Sequence, residues 1–499
     1  KDFDSFTRIV KANKSGTDWF HEIFKPAPIM SHNLSVAGGS EQGSYMLSFN
    51  YFNQEGTLRN TYLKRYTLRS NTSFNVNKHI RIGENVAFSI VDNPRSGILE
   101  EGGGIGMAYR MQPIVPVYDI RGNYAGSYGV GLGNARNPVA VRDRAASNKG
   151  LANRLLGNVF IEADVFKDFT LRSSFGGSLI SGYGHSFGFP EYENAENNTT
   201  NSYGESSYYG YNWTWTNTVT WEKNFKDLHS IKVLAGTEAY QNKGRSLSGN
   251  TQAYFSFDPN YVNLGTGSAT PTNGSGRYSD ALYSLIGRID YSFKDRYLIS
   301  GTIRRDGSSR FLNNRYGVFP AVSAGWRISE EDFMKPIEWI DDLKIRGGYG
   351  IMGNQLNVGS ANGYTTYGQN RSHSFYDIKG SSSSTVQGFQ RQRIGNPDAK
   401  WESNINSNIG LDATLFGGQL EITVDYYNKV IKDLLFGLPL AAVVGQGTVP
   451  AVNVAEMSNK GLDLSIYGEK QITSNFKLNA TATFTSYNNK LNKLAEGID

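Results

Sequence analysis

The chain has 499 residues, and its 50 Lys and Arg outnumber its 45 Asp and Glu enough for a formal net charge of only +5. This charge is too dilute over such a length to indicate nucleic-acid binding. The absence of Cys excludes a disulfide scaffold and thiol catalysis. Aromatic residues reach 13% and Gly numbers 56, which excludes a disordered polyelectrolyte and favours strands. The sequence contains no apolar run of about 18 residues, so it predicts no transmembrane helix.

Apolar and polar residues alternate with a period of two along nearly the whole chain. The alternation is clear at 45–51, 405–411, 420–426 and 476–484, where one face is apolar and the other is mainly polar, most often with Asn, Ser or Thr. This period is typical of β-strands with unlike faces. We expect about sixteen strands, many of them longer than the ~5–6 residues usual in globular sheets.

Short and long connections alternate between these predicted strands. The long ones, rich in Gly, Ser and Asn, fall at about 92–153, 181–206, 244–276, 353–400 and 437–452. The pattern predicts an all-β fold, a transmembrane antiparallel up-and-down β-barrel with short periplasmic turns and long extracellular loops. Residues 1–28 are predicted to form an extracellular loop leading into the barrel, and residues 29–499 the barrel portion itself. A soluble β-sandwich or propeller would also alternate, but the strand length and the lack of a blade-length repeat favour the membrane barrel.

Fragments that imitate active sites lack the context that catalysis needs. Gly184–Gly188 matches G-x-S-x-G, but no buried parallel strand precedes it and no helix is predicted after it. The six His show no pair at metal-ligand spacing. Asp258 and Asp306 lie in loops that could hold calcium, although a turn role is favoured because no EF-hand ladder is present. We therefore predict no catalytic residue, cofactor or metal, and conclude that the chain is not an enzyme.

A series of ordered motifs carries a family resemblance. It includes Arg304–Phe311, Gly317–Glu330, Lys400–Glu402 and Asp425–Lys429, and it begins with Gly16–Trp19. The series resembles the SusC/RagA family of TonB-dependent outer-membrane transporters of Bacteroidota over essentially the whole chain.

The resemblance implies a location, a size and partners. The expected location is the outer membrane, and the expected barrel has about 22 strands, a size that encloses a plugged lumen. The expected partners are a SusD-like surface lipoprotein, TonB acting through a plug domain, outer-membrane lipid, and an oligosaccharide or peptide ligand. Two barrel–lipoprotein pairs could form a dimer, and no nucleic acid is expected. The plug, the TonB box and the last strands are predicted to be absent from this chain, which we therefore expect to be a piece of a longer protein.

Three functions remain open from the sequence: a nutrient importer, a structural scaffold of an envelope assembly complex, and a passive porin. The candidate contact residues fall in two groups. The first could make polar contacts in the lumen or at a loop base, or could be ordinary hairpin residues: Arg304, Arg305 and Arg310. The second could stack on sugar rings or pack against a partner lid, or could simply pack within their own loop: Tyr364, Tyr367, Phe375 and Tyr376. We expect Asn354, Gly395, Asn396 and Pro397 to shape the ends of that loop.

Overall fold

The structure is a computed structural model that describes residues 15–94, 101–129, 131–226, 228–370, 373–381, 384–437 and 447–494. Residues 1–14 of the predicted 1–28 loop lie outside the described residues. So do 95–100 and 130 of the predicted 92–153 loop, 371–372 and 382–383 of the predicted 353–400 loop, 438–446 of the predicted 437–452 loop, and the last five positions, 495–499.

Among these described residues, sixteen strands form one antiparallel sheet, in which nearly every strand pairs with its neighbours in sequence. The first eight are β1 (Ile29–Ser40), β2 (Gly43–Glu55), β3 (Tyr62–Asn75), β4 (Ile80–Asp92), β5 (Lys149–Phe166), β6 (Phe169–Gly188), β7 (Ser202–Phe225) and β8 (His229–Gln252). The other eight are β9 (Ala269–Phe293), β10 (Tyr297–Ser308), β11 (Tyr316–Arg327), β12 (Ile340–Asn354), β17 (Glu402–Leu415), β18 (Leu420–Gly437), β19 (Ala451–Thr473) and β20 (Phe476–Lys493). The predicted count and up-and-down order of strands are confirmed.

Smaller elements occupy the connections. Two small sheets pair β13 (Thr366–Gly368) with β16 (Gln390–Arg393) and β14 (Tyr376–Asp377) with β15 (Thr385–Val386). In the described part of the chain, the α-helices are α1 (Trp19–Ile23), α2 (Gly104–Arg110) and α3 (Pro138–Arg144), and the 3-10 helices are Ala145–Ser147, Pro259–Tyr261 and Ile328–Glu330. Among the described residues, no helix combines the length and apolar character needed to cross a bilayer.

The strands run further than the sequence-based boundaries. The predicted 181–206 connection contains the end of β6 at Gly188 and the start of β7 at Ser202, so Gly184–Gly188 is part of a strand. Residues at both ends of the predicted 244–276 connection likewise belong to β8 and β9. Their Gly and Ser suggested loops, but an aromatic ring from the next strand covers the glycines. A Cβ on Gly244 would lie 2.5 Å from the ring of Tyr278, so the ring takes the space that a larger residue would fill.

The chain divides into two compact units. The first comprises residues 1–160, 176–213 and 242–278, and the second comprises 161–175, 214–241 and 279–499.

In the first unit, the segment before β1 packs on the connection between β4 and β5. Trp19 and Ile23 of α1 are buried against Met107 of α2 and Val139 of α3. Asp18 caps α1 by accepting a hydrogen bond from the amide of His21, as N-terminal carboxylates commonly do. This small apolar core gives the connection a fixed structure.

Two ion pairs stiffen the same connection. Arg144 donates two hydrogen bonds to the fully buried carboxylate of Glu193, at 2.7 and 3.0 Å. Arg59 makes a bidentate pair with Asp143, whose Oδ2 also accepts from the hydroxyl of Tyr124 at 3.0 Å. Burial, followed by the hydrogen bond to Asp143, raises the pKa of Tyr124 to about 12. The buried carboxylate of Glu193 therefore has a close partner of opposite charge.

In the second unit, the two faces of the sheet differ in polarity. Strand β18 places Leu420, Ile422, Val424 and Tyr426 on one face, which we call the apolar face. On the other face, Arg346 donates to the carboxylates of both Asp412 and Asp425, at 2.7 to 3.1 Å. This polarity is the one expected of a sheet with lipid on one side and a polar interior on the other.

Candidate ligand-contact loop

The connection between β12 and β17, residues 355–401, is a long folded loop in the second unit. Its middle is built from the two small sheets β13–β16 and β14–β15. It is also bonded to the β18–β19 connection, because the amide of Ile394 donates to the carbonyl of Thr448 and the amide of Thr448 donates to the carbonyl of Gln392. The loop therefore has its own secondary structure. We call residues 355–401 the platform loop.

The platform loop stands on an apolar base. Trp401, at its end, packs against Phe311 and Phe319, with ring centroids 5.2 and 5.4 Å away. The same buried cluster includes Val358 from the start of the loop and Leu435 from the end of β18. The indole Nε1 of Trp401 donates to the carbonyl of Arg315 at 3.1 Å, so the one polar atom of this side chain is satisfied.

A buried carboxylate ties three segments of the base together. Glu402 is 1% exposed. It accepts hydrogen bonds from the side-chain amides of Asn354 and Asn357 and from the backbone amide of Leu435. Since an unpaired buried carboxylate is strongly unfavourable, these three donors hold the end of β12, the start of the loop and the end of β18 around one group.

Two asparagines fasten the platform loop to the start of β19. The side chain of Asn362 accepts from the amide of Ala451 at 2.8 Å and donates to its carbonyl at 3.1 Å, as a neighbouring strand would. Asn396 donates to the same carbonyl at 3.0 Å. Next to Asn396, Gly395 lies so close to the backbone that an added Cβ would be 2.5 Å from the carbonyl carbon of Tyr364.

The three arginines selected from the sequence do not form one site. Arg304 donates to Asp306 at 2.7 Å, and to Glu238 and Ser284 at 2.8 Å each. Arg305, the next residue along the strand, points to the opposite face. There its guanidinium carbon lies 4.3 Å from the ring centroid of Tyr316, and its side chain is exposed.

The third arginine belongs to the base. Arg310 donates to the carbonyl of Val358 at 2.8 Å and pairs with Asp280 at 3.4 Å. Of the three, Arg304 and Arg310 are therefore held by contacts within the protein, and Arg305 stands at the surface.

The four predicted aromatic residues all lie on the platform loop. Tyr364, Tyr367 and Tyr376 are 56%, 66% and 67% exposed, whereas Phe375 is half-buried. Exposed apolar neighbours on the same loop are Leu356, Ile378, Val386 and Phe389. The loop thus presents broad, flat and partly apolar side chains above a fixed base. Such side chains suit contact with a sugar ring, a peptide or another protein.

Within the residues that the structure describes, no group of three or more His, Asp and Glu is placed to hold a metal ion. The two aspartates considered for calcium have other partners. Asp306, which lies within β10, accepts from Arg304, and Asp258 accepts from the amide of Asn260 at 2.9 Å. Sequence reasoning missed the role of Glu402 in the base. The only feature of the sequence that pointed to Glu402 was its place in the Lys400–Glu402 motif. Alternation alone predicts neither its burial nor its contact with the backbone amide of Leu435.

Comparisons with known proteins define the class. The sequence profile described as "TonB dependent receptor-like, beta-barrel" matches residues 108–498. The chain belongs to this family, whose members are outer-membrane transporters and receptors rather than enzymes, and its location is the outer membrane.

The individual relatives include TonB-dependent receptors and a peptide importer. The chain is 29% identical over 498 residues to the TonB-dependent receptor P26 of Formosa agariphila, covering 97% of this chain and 47% of the relative. It is 27% identical over 515 residues to the TonB-dependent receptor SusC of Bacteroides thetaiotaomicron, covering 97% and 49%. The RagAB peptide importer in its "closed-closed" state superimposes with a TM-score of 0.84 at 26% identity, covering 97% of this chain and 53% of that one. The resemblance seen in the sequence motifs is confirmed. The chain spans about half the length of the curated relatives it matches.

Proposed function

We propose that the full-length protein is a TonB-dependent importer that takes up oligosaccharides or peptides together with a SusD-like surface lipoprotein. The observation that carries the proposal is the folded platform loop, with exposed aromatic rings above a buried base, on a SusC-like barrel. The relative named as a peptide importer supports a bulky polymeric cargo for this class of barrel.

The platform loop is the proposed contact surface for ligand or lipoprotein. Tyr364, Tyr367 and Tyr376 are more than half exposed, and a tyrosine ring buries much area at little cost in conformational entropy. The base removes much of the remaining cost, because a loop that is already ordered does not have to order on binding. Phe375 contributes apolar area next to Tyr376.

Energy coupling is proposed to come from TonB, acting through a plug domain of the full-length protein. The barrel–lipoprotein pair is further proposed to associate as a dimer of pairs. Neither proposal depends on the chemical class of the ligand.

Uptake in cells tests the proposed function. The full-length gene product is expressed with a SusD-like lipoprotein from the same organism, and uptake of labelled oligosaccharides and labelled peptides is compared with and without the TonB system. We expect uptake of one cargo class to require both TonB and the lipoprotein. Uptake that persists without TonB would favour a passive porin. A stable envelope complex with uptake of neither class would favour the scaffold.

Variants of the platform loop test the contact surface. We expect the combined variant Tyr364→Ala, Tyr367→Ala and Tyr376→Ala to weaken binding of ligand or lipoprotein by about 150-fold or more, at ~1–3 kcal/mol for each of the three lost aromatic contacts. Tyr261→Ala is the matched control, since Tyr261 is 68% exposed on a different connection. Equal binding by the triple variant and the control would show that the platform loop is not the contact surface.

A further inference from the structure

A cluster of lysines lies on the apolar face of β18–β20. It is next to the apolar band of that face, which on β19 consists of Leu462, Leu464 and Ile466. Strand pairing places Asn428 beside Lys460, and Lys460 beside Asn488; Lys490 lies beside Ser458. These side chains line a cleft of about 380 Å³. Lys432 extends the same face of β18 by two residues beyond Val430. We call Lys432, Lys460 and Lys490 the lysine cluster.

The dimensions of the band place the lysine cluster at a membrane surface. Below Lys460, β19 carries Leu462, Leu464 and Ile466 on the apolar face, and Lys470 marks the other end. The ten-residue step from Lys460 to Lys470 covers about 33 Å along a strand, or about 25 Å along the membrane normal at a tilt of about 40°. This height equals that of the hydrocarbon-facing band of outer-membrane barrels, so the lysines lie at headgroup depth.

The charge of the lysine cluster is not neutralised within the part of the chain that the structure describes. No carboxylate there lies within ion-pair distance of Lys432, Lys460 or Lys490, and all three side chains are exposed. The one carboxylate at the margin, Glu456, accepts a hydrogen bond from Asn492 at 3.1 Å. By contrast, Arg305, near the end of β10, has its guanidinium over the ring of Tyr316. Among the described residues, the lysine cluster therefore presents positive charge without an acidic partner, together with amide donors, on the apolar face.

We propose that the lysine cluster binds the phosphate groups of an anionic membrane glycolipid whose acyl chains lie on the neighbouring apolar band. The amides of Asn428, Asn488 and Asn492 would meet the sugar and phosphate oxygens between the lysines. Phe484 and Leu464, on adjoining strands of the same face, would contact the acyl chains. A cleft between basic side chains next to an apolar wall matches a phosphorylated lipid, in which charge and hydrocarbon are joined.

Lipid binding to the purified full-length protein tests this proposal without reference to transport. Wild-type protein and Lys460→Gln/Lys490→Gln are reconstituted in phosphatidylcholine nanodiscs doped with a bis-phosphorylated lipid A, and bound glycolipid is quantified by mass spectrometry. We expect about fivefold weaker retention for each lysine removed and about 25-fold for the pair. Inorganic phosphate at the same phosphate concentration should not displace the glycolipid, because it lacks the acyl chains.

Lys470→Gln is the matched control, because Lys470 lies on the same face of the same strand at the other end of the band. It should retain lipid as the wild type does. Heat-dependent mobility on gels verifies that each variant is folded. Retention unchanged in Lys460→Gln/Lys490→Gln, or reduced equally in Lys470→Gln, would overturn the proposal. Displacement by inorganic phosphate would show a free-anion site instead and would also overturn it.

Discussion

Replacing Glu402 by Gln should loosen the base of the platform loop. The carboxylate is 1% exposed and accepts from three donors, the amides of Asn354, Asn357 and Leu435. A Gln side chain keeps one acceptor oxygen, so its own NH₂ would face the donor of Asn354. Asn354 cannot rotate its amide without losing the bond that its Oδ1 accepts from Leu356 at 3.0 Å. One buried donor is therefore left unsatisfied, at a cost of about 1–3 kcal/mol.

This cost corresponds to an increase of about 5- to 150-fold in the opening equilibrium of the base. Hydrogen exchange of the full-length protein in detergent measures it, because peptides covering 355–401 and Leu435 report local opening. Glu338→Gln is the control, since it makes the same chemical change on an exposed carboxylate. The reasoning is refuted if exchange of the base in Glu402→Gln equals that in Glu338→Gln.

Three further predictions concern the connections. Arg144→Ala should destabilise the β4–β5 connection by about 3–5 kcal/mol, because it leaves the buried carboxylate of Glu193 without its partner. The control Arg110→Ala breaks an exposed pair with Glu101 and should cost at most about 1 kcal/mol. Limited proteolysis compares the two variants. Gly395→Ala should open the platform loop to protease, since its Cβ would lie 2.5 Å from the carbonyl carbon of Tyr364; Gly359→Ala, with no atom within 4 Å of its Cβ, should not. Tyr124 should remain protonated until about pH 12, because its pKa is raised. Its contribution to the stability of the folded state is therefore complete below pH ~10, the pKa of an unfolded tyrosine, and is lost as the pH rises through 12. The difference in near-ultraviolet absorbance between wild type and Tyr124→Phe measures this titration, and a midpoint near pH 10 would contradict the proposed bond to Asp143.

Strand periodicity predicted the sheet well because the polarity of each face is imposed by its surroundings. Residues 420–426 alternate since one side chain in two faces lipid. The same rule failed at the strand ends, where β8 continues to Gln252 through residues that read as a loop. There the determining contact, the ring of Tyr278 over Gly244, joins residues distant in sequence, and a local pattern carries no record of it.

The candidate site was predictable in composition and not in arrangement. Exposed tyrosines in a long loop could be named from the sequence, because a loop between strands tends to lie at the surface. The separation of Arg304 from Arg305 follows from strand pleating, once both are known to lie within β10. The role of Glu402 could not be foreseen, since its donors come from residues 45 and more positions away or from β18.

The platform loop and its base together meet a requirement of the proposed ligand contact. A long loop without a base would have to order on binding, and each residue ordered would cost about 1–2 kcal/mol of conformational entropy. Here Glu402, Asn362 and Trp401 order the loop before any ligand arrives, through contacts that are buried and internally satisfied. The exposed rings of Tyr367 and Tyr376 remain available for contact because the base, and not the rings, holds the loop. Changes at the base should therefore alter how fast and how tightly a partner is bound, whereas changes at the rings should alter which partner is bound.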